Sequence, residues 1–134
     1  MFDDYVERNS HRAISFTSMG QVRYFSAMKY VNAVVGNSSS GIVEAPSFCI
    51  PTVNIGNRQG GRVRSKTIID CSLGKSSIIG ALSKALSEGF RQEIEDSCNS
   101  HEREGTAGNI KEIIKGAKLN NIIRKNFFDI EKTA

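Results

Sequence analysis

Several residue types that would mark a site or a scaffold are scarce in this sequence. It has no tryptophan, three cysteines and two histidines. The cysteines (Cys49, Cys71, Cys98) are odd in number and form no CxxC motif, and neither His11 nor His101 lies in a metal-ligand pattern. This scarcity argues against a disulfide-stapled scaffold and against a zinc site. We therefore expect no metal and no cofactor, with buried thiols and surface histidines.

Long apolar runs are also lacking. No stretch approaches the roughly 20 apolar residues that a membrane span requires, and Met1–Tyr5 has neither the basic nor the apolar region of a secretory signal. We expect a cytoplasmic protein with no membrane partner. A length of 134 residues and a hydrophobic content of 39% are typical of one globular domain.

The excess of basic residues gives a formal charge of +4. These residues do not form one tract, because they divide between the stretch 58–66 and segments where Lys and Arg alternate with Glu. This distribution argues against a nucleic-acid partner. It fits a small polyanion such as a nucleotide diphosphate better.

Hydrophobic periodicity predicts helices alternating with short apolar strands. The predicted helices are Phe2–Asn9, Gln21–Val31, Gly41–Phe48, Ser76–Glu88, a polar one at Arg91–Ser97, and an amphipathic tail broken near Gly116. The predicted strands are Ala13–Phe16, Asn32–Gly36, Thr52–Ile55 and Thr67–Asp70, with a loop at Ser100–Gly108. Such alternation indicates an α/β fold, a Rossmann-like parallel sheet flanked by helices, which binds ligands at the carboxyl ends of its strands.

Two loops follow predicted strands and have the composition of an anion site. Residues 36–41 read Gly-Asn-Ser-Ser-Ser-Gly between a strand and a helix. There, unpaired N–H groups, the helix dipole and serine hydroxyls could hold a phosphate. Residues 56–64 form a glycine-rich loop with three arginines, which could close on the same anion. Known nucleotide fingerprints are absent: there is no GxGxxG, and Leu73–Ser76 lacks the earlier glycine of a Walker A loop, since Ile69 stands there.

Each candidate also has a structural interpretation, which the sequence leaves open. The serines could simply cap a helix. Glu44 could only complement the helix dipole. Arg58, Arg62 and Arg64 could form a solvated face, and Tyr24 could belong to the core.

Three spaced segments, Phe16–Tyr24, Gly36–Phe48 and Pro51–Arg62, together resemble the hydrolysing UDP-N-acetylglucosamine 2-epimerases, with the likeness extending from about Phe16 to Asp70. That family has two Rossmann-like domains facing across a cleft, the GT-B arrangement. The resemblance implies that residues 1–134 are a single UDP-binding domain, the C-terminal half of a two-domain epimerase, with a helical tail at about 109–131. The catalytic N-terminal domain would be a missing partner.

The resemblance also implies a ligand, UDP or a UDP-N-acetylhexosamine, and a set of binding residues. Ser38 and Ser39 would contact the diphosphate, beside Gly41, and Arg58 would line the nucleotide-sugar site. Glu44 would accept hydrogen bonds from the ribose hydroxyls.

Tyr24 would cover the uracil face in the same implied site. No catalytic residue is assigned, because the family's acids and bases come mainly from the N-terminal domain and the interdomain segment. The implied reaction eliminates UDP across C1–C2 and adds water to release N-acetylmannosamine, a precursor of sialic-acid-like sugars.

The isolated domain should therefore bind UDP weakly and lack activity. The alternatives are the nucleotide-binding domain of a GT-B glycosyltransferase, or a free-standing, non-enzymatic nucleotide-binding module. The resemblance is also compatible with a homo-oligomer.

Overall fold

A computed structural model describes residues 2–95 and 103–118 of the chain. The chain divides into two units, residues 1–102 and 103–134. The described helices and strands of the first unit are α1 (Phe2–Arg8), α2 (Gly20–Met28), β1 (Val34–Gly36), α3 (Ser39–Val43), a 3-10 helix (Ala45–Phe48), β2 (Thr52–Ile55), β3 (Ile68–Cys71), α4 (Lys75–Ala85) and α5 (Glu88–Ile94). The second unit contains α6 (Thr106–Gly116).

The three strands form a parallel sheet in the order β1-β2-β3. Val34 pairs with Thr52, and Thr52 pairs in turn with Ile68. The helices that flank this sheet make the fold an α/β, Rossmann-like one, as predicted. The link from β2 to β3 contains no helix, unlike the usual parallel crossover. Residues 56–67, which include the three arginines, themselves form that crossover.

The central strand β2 separates two groups of packed side chains. Val53 is fully buried against Ala81 and Ala85 of α4. Thr52, the preceding residue, meets Gly41 of α3. Because successive side chains of a strand point to opposite faces, α3 and α4 cover opposite faces of the sheet. A second cluster of Met28, Ala45 and Ile50 joins α2 to the 3-10 helix.

Two predicted elements at the start of the chain differ from the structure. Residues 13–16 form no strand and are irregular, with Ile14 exposed. The predicted helix Gly41–Phe48 is instead two helices, α3 and the 3-10 helix. Pro46 explains the break, because proline lacks an N–H and its ring clashes with the carbonyl four residues earlier.

The later helices also have different limits from those predicted. One long helix was expected over Ser76–Glu88, but α4 ends at Ala85 and Ser87 caps a new helix, α5. That helix begins before the predicted Arg91 and buries Phe90 and Ile94, so it is not wholly polar.

The second unit begins its helix within the stretch predicted as a loop. Helix α6 starts at Thr106 and ends at Gly116, where the tail was expected to break. Residues 119–134, on which most of the predicted tail falls, lie outside the described residues, and so do residues 96–102. The tail at about 109–131 stays a prediction.

The cysteines are less uniformly buried than expected. Cys49 is exposed and has a left-handed backbone with φ 52° at the end of the 3-10 helix, where Pro51 follows, while Cys71 is half-buried. Cys98 and His101 lie outside the described residues, and His11 is exposed. In the described part of the chain, no helix is both long and apolar enough to cross a membrane.

Candidate nucleotide site

The two loops singled out in the sequence leave neighbouring strands at the same edge of the sheet. The serine loop (residues 36–41) follows β1, and the arginine loop (residues 56–64) follows β2. Because β1 and β2 are parallel and hydrogen-bonded, their carboxyl ends lie side by side. Parallel α/β sheets bind their ligands at this edge.

The serine loop ends in a capped helix. Ser38 has extended backbone angles and its hydroxyl oxygen accepts a hydrogen bond from the Ser40 N–H at 3.3 Å. This bond satisfies one of the N–H groups at the start of α3. The Ser38 hydroxyl hydrogen is still free to be donated, since a hydroxyl both accepts and donates. Both Ser38 and Ser39 are exposed to solvent.

Gly41 lies where α3 comes closest to the sheet. It is buried, and a Cβ placed on it would stand 2.7 Å from Cγ2 of Thr52. Real Cβ atoms do not come so close to another carbon, so a larger residue would force α3 away from β2. The structure therefore gives Gly41 a packing role, which fixes the position of the serines next to it.

A cleft of about 500 Å³ opens beside the serine loop and brings two of the predicted residues together. Its lining consists of residues 16–21, Tyr24, Phe25 and Glu44. The Tyr24 hydroxyl is hydrogen-bonded to the Ser40 hydroxyl, which ties α2 to α3. Glu44 follows α3 as its C-cap, and among the described residues its carboxylate has no hydrogen-bond or ion-pair partner. The cleft thus offers an aromatic ring and an available carboxylate, while Ser38, Ser39 and Arg58 do not line it.

The arginines of the arginine loop have different environments. Arg58 is exposed, and within residues 2–95 and 103–118 its guanidinium has no hydrogen-bond or ion-pair partner. Arg64 instead donates from Nε to Asp70 at 2.7 Å and from Nη1 to the Gln59 carbonyl at 3.0 Å. Arg58 is therefore the better placed of the two to meet a ligand. Arg64 belongs to the structure of the loop.

Asp70 receives a second hydrogen bond, from Nδ2 of buried Asn54 at 2.6 Å. Burial by itself would raise the pKa of Asp70, but the hydrogen bonds from Arg64 and Asn54 and the charge of Arg64 outweigh it, so the pKa lies below its usual value. Asp70 therefore stays ionised at neutral pH and holds Arg64 in place.

Gln59 was missed in the sequence, where nothing distinguishes it from an exposed loop residue. Its side chain is 4% exposed, and Nε2 donates to the Asn37 carbonyl at 2.7 Å. The arginine loop is thus hydrogen-bonded directly to the serine loop. Two adjacent strand ends could have suggested the contact, but burial of this glutamine could not be read from the sequence.

The sequence profile of the UDP-N-acetylglucosamine 2-epimerase family matches residues 1–115. Over 97% of its length the chain is 37% identical to the GDP/UDP-N,N'-diacetylbacillosamine 2-epimerase (hydrolyzing) of Campylobacter jejuni, covering 34% of that protein. Over 80% of its length it is 38% identical to the polysialic acid biosynthesis protein P7 of Escherichia coli, covering 28% of it. A UDP-N-acetylglucosamine 2-epimerase of Neisseria meningitidis is 28% identical over 97% of the chain, which covers 34% of that enzyme.

The chain therefore spans between about a quarter and a third of the length of the curated relatives it matches. The profile match covers far more than half of the chain, and the likeness to two of these relatives exceeds 30% identity. The chain belongs to the UDP-N-acetylglucosamine 2-epimerase family.

Proposed function

We propose that this chain is the UDP-binding half of a hydrolysing UDP-N-acetylglucosamine 2-epimerase, and that its parent protein converts UDP-N-acetylglucosamine to N-acetylmannosamine and UDP. Family membership supports the reaction class. The observation that carries the binding role is the cleft in which Tyr24 and Glu44 face a common space beside the serine loop. The family match favours this proposal over a glycosyltransferase or a free-standing nucleotide-binding module.

Each part of UDP has a chemical counterpart at this edge of the sheet. Ser38 and Ser39 supply exposed hydroxyls, with backbone N–H groups, for the diphosphate. Arg58 supplies a guanidinium able to bond two phosphate oxygens at once. The carboxylate of Glu44 accepts hydrogen bonds from the two ribose hydroxyls, and the ring of Tyr24 covers the uracil face.

The chain should not turn over its substrate alone. Elimination of UDP needs a base at C2 of the sugar, and a positioned acid or base typically contributes roughly 10²–10⁴-fold to a rate. We assign no such residue within this chain and expect it on an N-terminal domain of the parent protein, which we propose acts in the cytoplasm as a homo-oligomer. This chain alone would therefore bind UDP weakly but would not release UDP from a UDP-sugar.

The names of two relatives favour a second candidate substrate, UDP-N,N'-diacetylbacillosamine. That sugar appears in the names of the Campylobacter relative and of a Legionella pneumophila relative 32% identical over 66% of the chain. Incubating the full translated gene product with each UDP-sugar separates the two: the correct substrate yields UDP and the free 2-epimeric sugar without an acceptor. A requirement for an acceptor would instead indicate a glycosyltransferase.

Binding is tested on the chain itself by titrating UDP and uridine while recording amide NMR spectra. UDP should shift the resonances of Ser38, Ser39, Glu44 and Arg58, whereas uridine should shift mainly those lining the cleft. Glu44→Gln should weaken both ligands. Arg58→Gln should weaken UDP binding roughly 10- to 100-fold and leave uridine binding unchanged, because a hydrogen bond to a charged group contributes about 1.5–3 kcal/mol.

The matched control for Arg58→Gln is Arg8→Gln, which removes the same charge from helix α1 and should leave the affinity for UDP unchanged. Unaltered spectra at roughly millimolar UDP, a concentration that detects even weak ligands, would reject the binding role.

A further inference from the structure

Gln59 is a buried amide between the two loops of the candidate site. It lies in a tight turn in which the Gly60 N–H donates to the Asn57 carbonyl at 2.8 Å and Gly61 adopts φ +76°. This turn directs a loop side chain inward, so that 4% of Gln59 remains exposed. A polar side chain buried in a loop needs partners, and the donor half of this amide finds one in Asn37.

The backbone of Gln59 is itself held from the sheet. Its carbonyl accepts a hydrogen bond from Arg64, whose Nε pairs with Asp70 of β3 at 2.7 Å. Asp70 is in turn bonded to Asn54 of β2. A continuous hydrogen-bond network therefore runs from two adjacent strands, through Arg64 and Gln59, to the carbonyl of Asn37.

Asn37, where this hydrogen-bond network ends, immediately precedes the N-cap of α3. Asn37 lies next to Ser38, whose carbonyl and hydroxyl oxygens accept hydrogen bonds from Gly41 and Ser40 respectively. Fixing the Asn37 carbonyl therefore fixes the peptide that sets the direction of the following N–H groups. The crossover that supplies Gln59 contains no helix, so its own hydrogen bonds determine where it lies.

We propose that Gln59 is a positioning residue of the nucleotide site: it holds the serine loop in the conformation that receives the diphosphate, and Arg64 acts through it. This inference rests on the proposed binding of UDP. In this proposal Gln59 makes no contact with the ligand. Arg64 supports Gln59 through a hydrogen bond, whereas Arg58 contacts the diphosphate directly.

Gln59→Leu tests the proposal, because leucine fills a similar volume without donating a hydrogen bond. The Gln59 Oε1 atom is buried with no partner among the described residues, so the substitution also removes an unsatisfied acceptor and should change the thermal midpoint little. The affinity for UDP should fall roughly three- to tenfold. Gln92→Leu, on α5, is the matched control and should bind UDP like the unsubstituted chain.

Gln59→Glu supplies a readout that a purely structural role would not move. An ionised carboxylate cannot donate to the Asn37 carbonyl, whereas a protonated one can, and burial raises the pKa of a carboxyl group. Relative to the unsubstituted chain at the same pH, this variant should bind UDP poorly at about pH 9 and recover at about pH 5. Gln59→Leu should show no such recovery.

Arg64→Lys tests the next link and remains informative if a Gln59 variant does not fold. Lysine keeps the charge beside Asp70 but lacks the guanidinium fork that reaches both Asp70 and the Gln59 carbonyl. Its affinity for UDP should fall roughly two- to threefold, less than that of Gln59→Leu.

Hydrogen exchange at the Ser40 and Gly41 amides, measured without ligand, separates this inference from the proposed function. Exchange should be faster in Gln59→Leu than in the unsubstituted chain at the same pH. If the chain binds no UDP but exchange is faster, the binding proposal fails, while the role of Gln59 in holding the serine loop is supported. If UDP binds equally to Gln59→Leu and to the unsubstituted chain and exchange is unchanged, the positioning role of Gln59 is refuted.

Discussion

Substituting Gly41 tests how tightly α3 packs on the sheet, and therefore what fixes the serine loop. In Gly41→Ala the new methyl would lie 2.7 Å from Cγ2 of Thr52, a residue 2% exposed. Thr52 is β-branched and cannot easily rotate away. Overpacking of a core typically costs about 1–3 kcal/mol, against which alanine gains about 1 kcal/mol over glycine from helix propensity.

Gly80 provides a matched control, because it lies in helix α4 and a methyl group added there would have no neighbouring atom within 4 Å. Gly80→Ala should gain about 0.5–1 kcal/mol from helix propensity alone. Since that gain is common to both substitutions, Gly41→Ala should be less stable than Gly80→Ala by about 1–3 kcal/mol, the cost of the contact with Thr52.

Chemical denaturation of the two variants measures this difference. Removing Cγ2 in the double variant Gly41→Ala with Thr52→Ser should recover most of the loss, so the two changes should be strongly non-additive. Gly41→Ala should also weaken UDP binding, because displacement of α3 moves the serines, whereas Gly80→Ala should leave UDP binding unchanged. Equal stabilities for the two alanine variants would refute the close contact between α3 and β2.

Three further predictions follow from the same region. Asp70→Asn should make the free energy of unfolding less sensitive to acid. The pKa of Asp70 is lowered in the folded chain, so its stabilising contribution is present above about pH 4 and is lost as pH falls through the folded pKa. Between neutral and acidic pH, chemical denaturation should therefore show a smaller loss of stability for the variant than for the unsubstituted chain. Ser38→Ala and Ser87→Ala each remove an N-cap and should each cost about 0.5–2 kcal/mol, but calorimetric titration should show weaker UDP binding for Ser38→Ala alone. Tyr24→Phe removes the hydroxyl bonded to Ser40 and should cost about 0.5–1.5 kcal/mol by denaturation while leaving uridine binding nearly unchanged, since the ring remains; a large loss of uridine affinity would contradict a stacking role.

The strand ends of this fold could be predicted from the sequence because local patterns determine them. The apolar run before Gly36 and the alternating segment Thr52–Ile55 both form strands, and their carboxyl ends bring the two loops to one edge. The segment Ala13–Phe16 has a similar composition but is irregular. Composition alone cannot distinguish the two cases, because a strand forms only where a neighbour satisfies its backbone.

The site was less predictable than the fold, for reasons that lie in tertiary contacts. A loop with three arginines predicts an anion site, but the sequence could not show that Arg64 is neutralised by Asp70 while Arg58 is exposed. The hydrogen bond from Gln59 to the serine loop depends on a turn that buries a polar side chain. Such contacts depend on where two loops end in space, and no periodicity records them.

The central claim is that the carboxyl edge of this sheet binds the diphosphate of UDP at the serine loop. The most direct test is a structure of the chain with UDP bound. We predict density for the diphosphate against Ser38 and Ser39, with the ribose at Glu44 and the uracil on the ring of Tyr24. An empty serine loop in crystals soaked to saturation, or UDP bound elsewhere on the chain, would contradict the claim.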